Sequence, residues 1–210
     1  PTERESPANV PGRATKVEAM RVAGLLLAAG AGRRFGTPKA LVPLDGKLFV
    51  DRAAELLKSA GCDPVVVVLG AKADEVRAAA SLDGVTVVDN PHWDTGMGSS
   101  LRTGLHAIGI VEAVVVLPVD TPGVTVEALH RLMALAEPEV LARAVYHGEI
   151  GHPVLIGSDH FAGVMASAAG DQGARDYLKA STVRHVECAD VADSADVDKP
   201  EDLKRRTGEA

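Results

Sequence analysis

Four short apolar runs dominate the hydrophobic pattern in the first part of the chain. They lie at residues 22–28, 65–69, 85–88 and 113–117, and Val and Leu are their commonest residues. Each run is separated from the next by enough residues for a helix. Continuous apolar strands that alternate with helices are typical of a parallel sheet covered on both faces. The pattern therefore predicts a doubly wound α/β fold.

The segments between and after these runs have helical periodicity or weaker strand patterns. Helices are predicted at 49–60, 72–81, 99–109 and 125–136. Beyond residue 138, strands are predicted at 140–146 and 153–156, and these are shorter and more polar. We interpret them as an edge or an antiparallel insertion that adds a wall to a substrate site.

The first 20 residues differ in composition from the rest of the chain. They contain three prolines and scattered charges without an apolar period, so we expect a disordered leader at 1–20. A single domain is predicted over 21–208. The apolar run at 22–31 is too short to span a bilayer and is interrupted by glycines, so we expect neither a signal peptide nor a membrane partner.

Composition narrows the possible partners and compartment. The net charge of −7 gives no general positive field for nucleic acid, and aromatic residues make up only 3% of the chain,. An anionic ligand must therefore meet a local cluster of cations. Cys62 and Cys188 have neither disulfide-framework nor zinc-site spacing,. We expect a cytoplasmic protein that does not bind nucleic acid.

A glycine-rich segment follows the first apolar run. Residues 25–39 are LLLAAGAGRRFGTPK, a strand that opens into small residues and then presents cations. Small residues let backbone N–H groups approach phosphate oxygens, and Arg34 and Lys39 can neutralise a triphosphate. The order matches neither the ATPase loop nor the dinucleotide loop. The alternative is a tight strand-to-helix turn with solvated arginines.

A single carboxylate, Asp120, closely follows the apolar run at 113–117. In a parallel sheet it would emerge at the same edge as the glycine-rich segment, where ligands bind. A carboxylate next to a phosphate cradle is suited to hold Mg²⁺. The alternative is that Asp120 caps a helix starting near residue 123.

Several of these segments resemble one large family. The order L-A-A-G-x-G-x-R-x-G-x-x-K resembles the signature of nucleotidyltransferases that include molybdenum cofactor guanylyl- and cytidylyltransferases and sugar-phosphate nucleotidyltransferases. Residues 118–122 (PVDTP) are similar to its Asp-x-Pro metal motif, and residues 196–203 (DVDKPEDL) are similar to its D-x-D-x-P-E-D-L element. The resemblance covers 22–206. It implies a three-layer α/β/α fold with a mostly parallel, Rossmann-like sheet of the nucleotide-diphospho-sugar transferase type.

The same resemblance implies roles for particular residues. The loop backbone would contact the base, Arg34 the β and γ phosphates, and Lys39 the α phosphate, with Asp120 as the third catalytic residue. Asp120 and Asp198 would hold Mg²⁺, with Asp196 a weaker candidate, although 198–201 also has the composition of a helix start. The residues expected at the base are Leu27, Ala28, Ala29 and Gly30, and Gly32 is a further expected nucleotide contact.

The nucleotide preference follows from one position. Guanylyl-type members usually have L-A-G-G, whereas Ala29 gives this chain the L-A-A-G that is similar to the cytidylyl type, so CTP is favoured. Gly32 is a departure, because cytidylyl-type loops often have Ser there.

Three further segments resemble the cofactor-transferase branch. Gly98, Ser99 and Ser100 match its G-x-S-S-L segment and are expected to contact the nucleotide, although either serine could instead be a helix N-cap,. The GHPV and GDQGAR segments place His152, Asp171 and Arg175 on the acceptor side. The alternative for His152 is a partly buried, hydrogen-bonded packing residue.

Together these resemblances imply a Mg²⁺-dependent enzyme that moves CMP from CTP to the terminal phosphate of molybdopterin cofactor and releases pyrophosphate. A molybdoenzyme or its chaperone is a further possible partner. The alternatives are a sugar- or polyol-phosphate nucleotidyltransferase, a guanylyltransferase of the molybdenum cofactor, and a non-catalytic chaperone that binds the cofactor.

Overall fold

The computed structural model describes residues 20–207 and contains one large mixed sheet with helices on both faces. The predicted leader lies outside the described residues except for Met20, which is exposed. In chain order the strands are β1 (Val22–Leu27), β2 (Pro43–Leu44), β3 (Lys47–Leu48), β4 (Val65–Leu69), β5 (Thr86–Asp89), β6 (Ala113–Pro118), β7 (Leu141–Tyr146), β8 (Glu149–Gly157) and β9 (Arg184–Glu187). The helices are α1 (Phe49–Ser59), α2 (Ala73–Ala79), α3 (Met97–Ala107), α4 (Val126–Met133), α5 (Phe161–Ser167), α6 (Arg175–Lys179) and α7 (Pro200–Thr207).

The sheet has the order β5-β4-β1-β6-β8-β7-β9, and β2 pairs with β3 in a separate hairpin. β1 pairs in parallel with both β4 and β6, and β4 pairs in parallel with β5. The four predicted apolar runs are therefore the four parallel strands of a doubly wound sheet, which confirms the predicted fold class. β8 is antiparallel to both of its neighbours.

Of the two alternatives for the strands after residue 138, the antiparallel insertion is the correct one. β8 lies between β6 and β7, and β9 pairs in parallel with β7, so β9 forms the edge. The hairpin that joins β7 to β8 turns at His147 and Gly148, which have φ angles of 52° and 87°. A two-residue turn with positive φ at both positions matches the twist of an antiparallel pair. β8 therefore begins at Glu149, four residues before its predicted start at residue 153.

The centre of the sheet separates two apolar clusters. All six residues of β1 are buried, and alternate side chains point to opposite faces,. Leu26 packs in one cluster with buried residues of α1 and α4, whereas Leu25 packs in the other with buried residues of α3, α5 and α6. The structure therefore has the three α/β/α layers that the resemblance implied.

Two helices approach β1 closely because the contacts involve glycine. A Cβ atom at Gly24 would lie 3.1 Å from the Cβ of Cys62 and 3.2 Å from that of Leu57 in α1. On the other face, a Cβ atom at Gly104 of α3 would collide with the side chain of Leu25. Both helices can therefore rest directly on the central strand.

The helix boundaries correct some predictions. α3 begins at Met97, two residues earlier than predicted, after Gly96 with a φ angle of 110°. α4 begins at Val126, and the Thr125 hydroxyl accepts a hydrogen bond from the Ala128 amide at 3.3 Å. Asp120 therefore does not cap this helix, and that alternative is wrong. In residues 20–207 no helix is both long enough and apolar enough to span a membrane.

We expect Gly104→Ala to lower the free energy of unfolding by about 1–3 kcal/mol, because the new methyl group overpacks Leu25. The loss should outweigh the gain in helix propensity of about 1 kcal/mol. Urea unfolding followed by circular dichroism measures the change. Gly109→Ala is the matched control, since a Cβ atom there meets nothing within 4 Å. Equal stability of the two variants would contradict the close packing of α3 on β1.

Candidate functional site

The site lies where the strand order reverses. Leu27 at the end of β1 pairs with Pro118 at the end of β6, so the glycine-rich segment and Asp120 leave the sheet side by side. The chain continues from β1 towards β4 on one side, while β6 lies on the other. Crevices at such switch points, beyond the carboxyl ends of the strands, are where ligands bind in open α/β sheets.

A cleft of about 490 Å³ opens at this point. Most of the residues predicted for the nucleotide, the metal and part of the acceptor line it, and they come from distant parts of the chain. The predicted residues in its lining are Leu27, Ala29, Gly30, Gly32, Arg34, Lys39, Ser100, Asp120, Asp171 and Asp198.

Lys39 connects the two predicted metal ligands. Its ammonium donates to Oδ2 of Asp120 at 2.6 Å and to Oδ1 of Asp198 at 2.5 Å. Arg34 donates from Nη1 to the other oxygen of Asp198 at 3.0 Å. The carboxylates, 78 positions apart in the sequence, therefore meet at one nitrogen atom.

The charges in this cluster shift each other's protonation. Burial disfavours the Lys39 ammonium, but the charge of Asp120 and hydrogen bonds to both carboxylates outweigh it and raise its pKa. The hydrogen bond from Lys39 lowers the pKa of Asp198. Burial and the nearby charge of Asp120 raise the pKa of Asp196 to about 6. Asp120 and Asp198 thus have the direct cation contact, and Asp196 is held beside them as the weaker acid.

The donor set fits a hard divalent cation. Mg²⁺ commonly binds through one or two carboxylates and completes its shell with water and substrate phosphates. Asp120 and Asp198 converge on one point at hydrogen-bonding distance and are suited to this role. Among residues 20–207, no group of three or more His, Cys, Asp or Glu residues could hold a metal without such additional ligands.

The glycine-rich segment forms a compact turn whose shape depends on Gly32. This residue has a φ angle of 59°, and its carbonyl accepts from the amides of Phe35 and Gly36 at 2.9 and 2.8 Å. A Cβ atom at Gly32 would collide with the Thr37 carbonyl. The tight-turn interpretation is therefore correct at Gly32, and the same turn places Arg34 and Lys39 in the cleft.

Three predicted nucleotide contacts lie outside the cleft lining. Ala28 is buried, and its amide donates to the Val68 carbonyl at 3.0 Å. Gly98 packs against residues 168–169, where a Cβ atom would lie 2.7 Å from the Ala169 nitrogen. Ser99 is buried and donates to the Gly96 carbonyl at 2.8 Å.

The N-cap alternative for Ser99 and Ser100 is wrong. Gly96 precedes the first turn of α3, and both serines lie inside that turn. Ser100 is the serine that reaches the cleft.

Asn90 organises the far wall of the cleft and was not predicted. Its buried side-chain amide donates to the hydroxyls of Ser99 at 2.7 Å and Ser100 at 3.0 Å. Its carbonyl oxygen accepts from the His92 amide at 3.0 Å. These bonds attach the loop that contains Trp93 to the first turn of α3, and Trp93 lines the cleft. Asn90 was missed because one Asn after a strand is typical of many turns.

The predicted acceptor residues are divided between the cleft and the structure beside it. Asp171 lines the cleft next to Gly96, where a Cβ atom would lie 2.7 Å from Oδ1 of Asp171. His152 and Arg175 are not in the cleft lining. Burial lowers the pKa of His152 to about 4, and the charge of Asp120 acts in the opposite direction. His152 is therefore a neutral imidazole that lies within electrostatic range of Asp120.

The segment at 196–203, which contains Asp198, also has a structural role. α7 begins at Pro200, and Oδ2 of Asp202 accepts from the amides of Asp198 and Lys199 at 3.1 and 2.9 Å. The predicted helix start is therefore present. Because Asp202 holds the backbone of Asp198, the helix also fixes the predicted metal ligand.

Comparison with known proteins supplies a family and two relatives. The family model described as the MobA-like NTP transferase domain matches residues 24–187. Nicotine blue oxidoreductase of Paenarthrobacter nicotinovorans is 38% identical over 194 residues, which cover 88% of this chain and 95% of that protein. A molybdenum cofactor guanylyltransferase of Rhodobacter capsulatus is 36% identical over 121 residues, covering 56% of this chain and 60% of that protein.

A solved structure has the same fold. The Rv0371c protein of Mycobacterium tuberculosis H37Rv, solved in complex with manganese, superposes with a TM-score of 0.77 at 28% identity. The match covers 91% of this chain and all of that one. The sheet and helices described above are therefore shared with a relative over nearly their whole length.

We expect Asn90→Ala to lower the free energy of unfolding by about 1–3 kcal/mol, because two buried hydroxyls lose their donor. Nucleotide affinity should fall as well, since the loop carrying Trp93 is released. Urea unfolding and calorimetric nucleotide titration measure the two effects. Thr95→Ala is the control, because it removes an exposed bond to the His92 carbonyl in the same loop. Unfolding of Asn90→Ala at the same urea concentration as Thr95→Ala would contradict the role of Asn90.

Proposed function

Because the chain belongs to the MobA-like NTP transferase family, we propose that it moves CMP from CTP to the terminal phosphate of molybdopterin cofactor. One observation carries the chemistry: Arg34, Lys39, Asp120 and Asp198 converge on a single cleft at the switch point of the sheet. The two cations can bind the charged oxygens of a triphosphate, and the two carboxylates can coordinate a divalent metal ion.

The reaction requires positioning and charge compensation. An oxygen of the acceptor's phosphate attacks the α-phosphorus of the nucleotide, the bond from that phosphorus to the bridging oxygen breaks, and pyrophosphate leaves. A phosphate monoester is already largely ionised at neutral pH, so no general base is needed. Arg34 and Lys39 oppose the charge of the phosphates throughout.

Asp120 and Asp198 would hold Mg²⁺, which would polarise phosphate oxygens and stabilise the departing pyrophosphate. The manganese complex of the mycobacterial relative supports a divalent ion in this fold. In the free protein the Lys39 ammonium bridges the two carboxylates, and Arg34 supplies the second positive charge at Asp198. In the proposed complex the Lys39 ammonium group is released towards the α phosphate.

The cytidylyl assignment rests on Ala29. This residue belongs to the cleft lining, at the position where guanylyl-type loops have glycine. We infer that an alanine here leaves less room for the base than a glycine does, which favours a pyrimidine over the larger purine. Gly32 does not weaken this argument, because the backbone there excludes any side chain.

Other members of this chemical class remain competing proposals. The loop and the carboxylates suit a sugar- or polyol-phosphate nucleotidyltransferase, and the Rhodobacter relative favours a guanylyltransferase of the molybdenum cofactor. A non-catalytic cofactor chaperone would need no paired cations and carboxylates. The name of the relative nicotine blue oxidoreductase favours a redox activity as a further alternative, although the glycine-rich segment of this chain lacks the order of a dinucleotide-binding loop.

The deciding experiment measures pyrophosphate release with Mg²⁺ and each of CTP, GTP, ATP and UTP. Molybdopterin cofactor and a panel of sugar and polyol phosphates serve as acceptors. A parallel arm follows NADH and NADPH oxidation with quinonoid dyes. Release that needs both CTP and the cofactor is the expected result. Release with GTP, release with a sugar phosphate, or dye reduction alone would each replace the proposal by the corresponding alternative.

We expect Asp120→Asn to lower kcat by at least about a hundredfold. Without the carboxylate the metal ion would be bound weakly, and its positive charge would no longer stabilise the transition state. Initial rates of pyrophosphate release measure the effect, and thermal melting checks that the fold is retained. Asp83→Asn is the control, because Asp83 is an exposed carboxylate in the turn before β5, outside the cleft lining. Wild-type rates for Asp120→Asn would refute the assignment of Asp120 as a metal ligand.

A further inference from the structure

The single tryptophan of the chain, Trp93, lines the nucleotide cleft. It begins the short 3-10 helix Trp93–Thr95, which lies between β5 and α3. Its side chain is only partly buried and packs against the apolar cluster below α3. A large aromatic ring that borders a cleft offers a ligand a rigid apolar surface. Trp93 is therefore suited to contact an aromatic part of the ligand.

Trp93 lies beside the segment that is expected to contact the base. Gly70 follows β4, and a Cβ atom built there would lie 2.5 Å from the Cβ of Trp93 and 2.8 Å from the carbonyl oxygen of Ala29. Both groups therefore border the same small space, which only a residue without a side chain leaves free. The absence of a side chain at Gly70 allows the tryptophan to lie next to Ala29.

Trp93 and Asp120 lie on opposite sides of β1. Trp93 follows β5 and packs against Gly70 after β4, whereas Asp120 follows β6. In the sheet order β5-β4-β1-β6, these places flank the central strand. Asp94, the next residue after Trp93, is an exposed carboxylate that also lines the cleft and would repel a phosphate,. The end of the cleft at Trp93 is therefore suited to the base, and the end at Lys39 and Asp120 to the triphosphate.

The loop that contains Trp93 is held in place by hydrogen bonds of the described chain. The Trp93 amide donates to the Asn90 carbonyl at 3.3 Å, and the Gly96 amide donates to the Trp93 carbonyl at 3.2 Å. The side chain of Asn90 attaches the same loop to the first turn of α3. A ring that is positioned before the ligand arrives loses little conformational freedom on binding.

We propose that the indole of Trp93 stacks on the base of the bound nucleotide and, together with Ala29, determines the size of base that the cleft accepts. This inference rests on the proposed function, because it assigns a specificity-determining residue to the nucleotide of that reaction. Stacking on an aromatic ring supplies affinity for any base. The position of the ring beside Ala29 leaves less room for a purine than a smaller side chain would leave.

The first test uses the unmodified protein. Because Trp93 is the only tryptophan of the chain, selectively excited tryptophan fluorescence reports on this position alone. A non-hydrolysable CTP analogue with Mg²⁺ should quench the emission, because the base stacks on the indole. Inorganic tripolyphosphate with Mg²⁺ has no base and should leave the emission unchanged. Unchanged emission when calorimetry shows the CTP analogue to be bound, or equal quenching by tripolyphosphate, would overturn the proposal.

The second test compares the affinities of the same two probes by calorimetric titration. Trp93→Leu should weaken binding of the CTP analogue at least about tenfold and leave tripolyphosphate affinity within about twofold of wild type. Trp93→Phe should retain most of the CTP affinity because it keeps an aromatic ring. Equal losses for both probes in Trp93→Leu would assign Trp93 to the scaffold, and no loss for either would also refute the stacking.

Phe161→Leu is the matched control. Phe161 begins α5 and packs against the same apolar cluster as Trp93, but it lies outside the cleft lining. Its replacement should leave both affinities within about twofold of wild type. The fluorescence test needs no substitution, so it decides between stacking and its absence even if Trp93→Leu does not fold.

Base discrimination is measured by repeating the titrations with a non-hydrolysable GTP analogue. Trp93→Leu should lower the ratio of CTP to GTP affinity at least about threefold, because the smaller side chain leaves more room for a purine. An unchanged ratio would overturn the role of Trp93 in specificity.

Steady-state kinetics then separates this inference from the proposed function. Trp93→Leu should raise KM for CTP at least about tenfold. If the wild type releases no pyrophosphate with any acceptor, the transferase assignment fails, while quenching by the CTP analogue still supports the stacking. If pyrophosphate is released and KM for CTP is unchanged in Trp93→Leu, the stacking alone is refuted.

Discussion

The parallel pairing of β1 with β6 is the interaction on which the site depends. All residues of β1 are buried, and its alternate side chains fill two different clusters. A slip of one residue would turn Leu25 and Leu26 to the wrong faces. A slip of two would move Asp120 by roughly 7 Å relative to the glycine-rich segment. The distance between the charged groups of Lys39 and Asp120 therefore depends on the hydrogen-bond register of β1 and β6.

The sequence predicted most clearly the strands that are buried along their whole length. The apolar runs of β1, β4 and β6 could be recognised because parallel strands covered on both faces admit few polar residues,. The edge strand β5 is only partly buried and was recognised from its two valines. β9 was missed because its four residues are mostly exposed and include three charged or ionisable side chains. α5 and α6 have seven and five residues, which is too short for a clear helical period,. Their formation depends on packing against α3 and on each other.

Some residues of the candidate site could be predicted from the sequence and others could not. Arg34 and Lys39 could be named because the glycine-rich segment resembles a family signature, and the structure places both in the cleft lining. The direct contact of Lys39 with both carboxylates could not, because it joins three segments that only the folded sheet brings together. Asn90 belongs to no motif, because its role depends on its hydrogen-bond partners at the start of α3.

The turn at Gly32 limits how nucleotide preference can change within this family. A side chain at this position meets the Thr37 carbonyl, so a serine from a related loop would force residues 33–37 into another path. That path also carries Arg34 into the cleft. Point-by-point exchange of base-contacting residues would therefore pass through poorly shaped intermediates. An exchange with a related loop should therefore replace the whole segment from Ala28 to Lys39 at once.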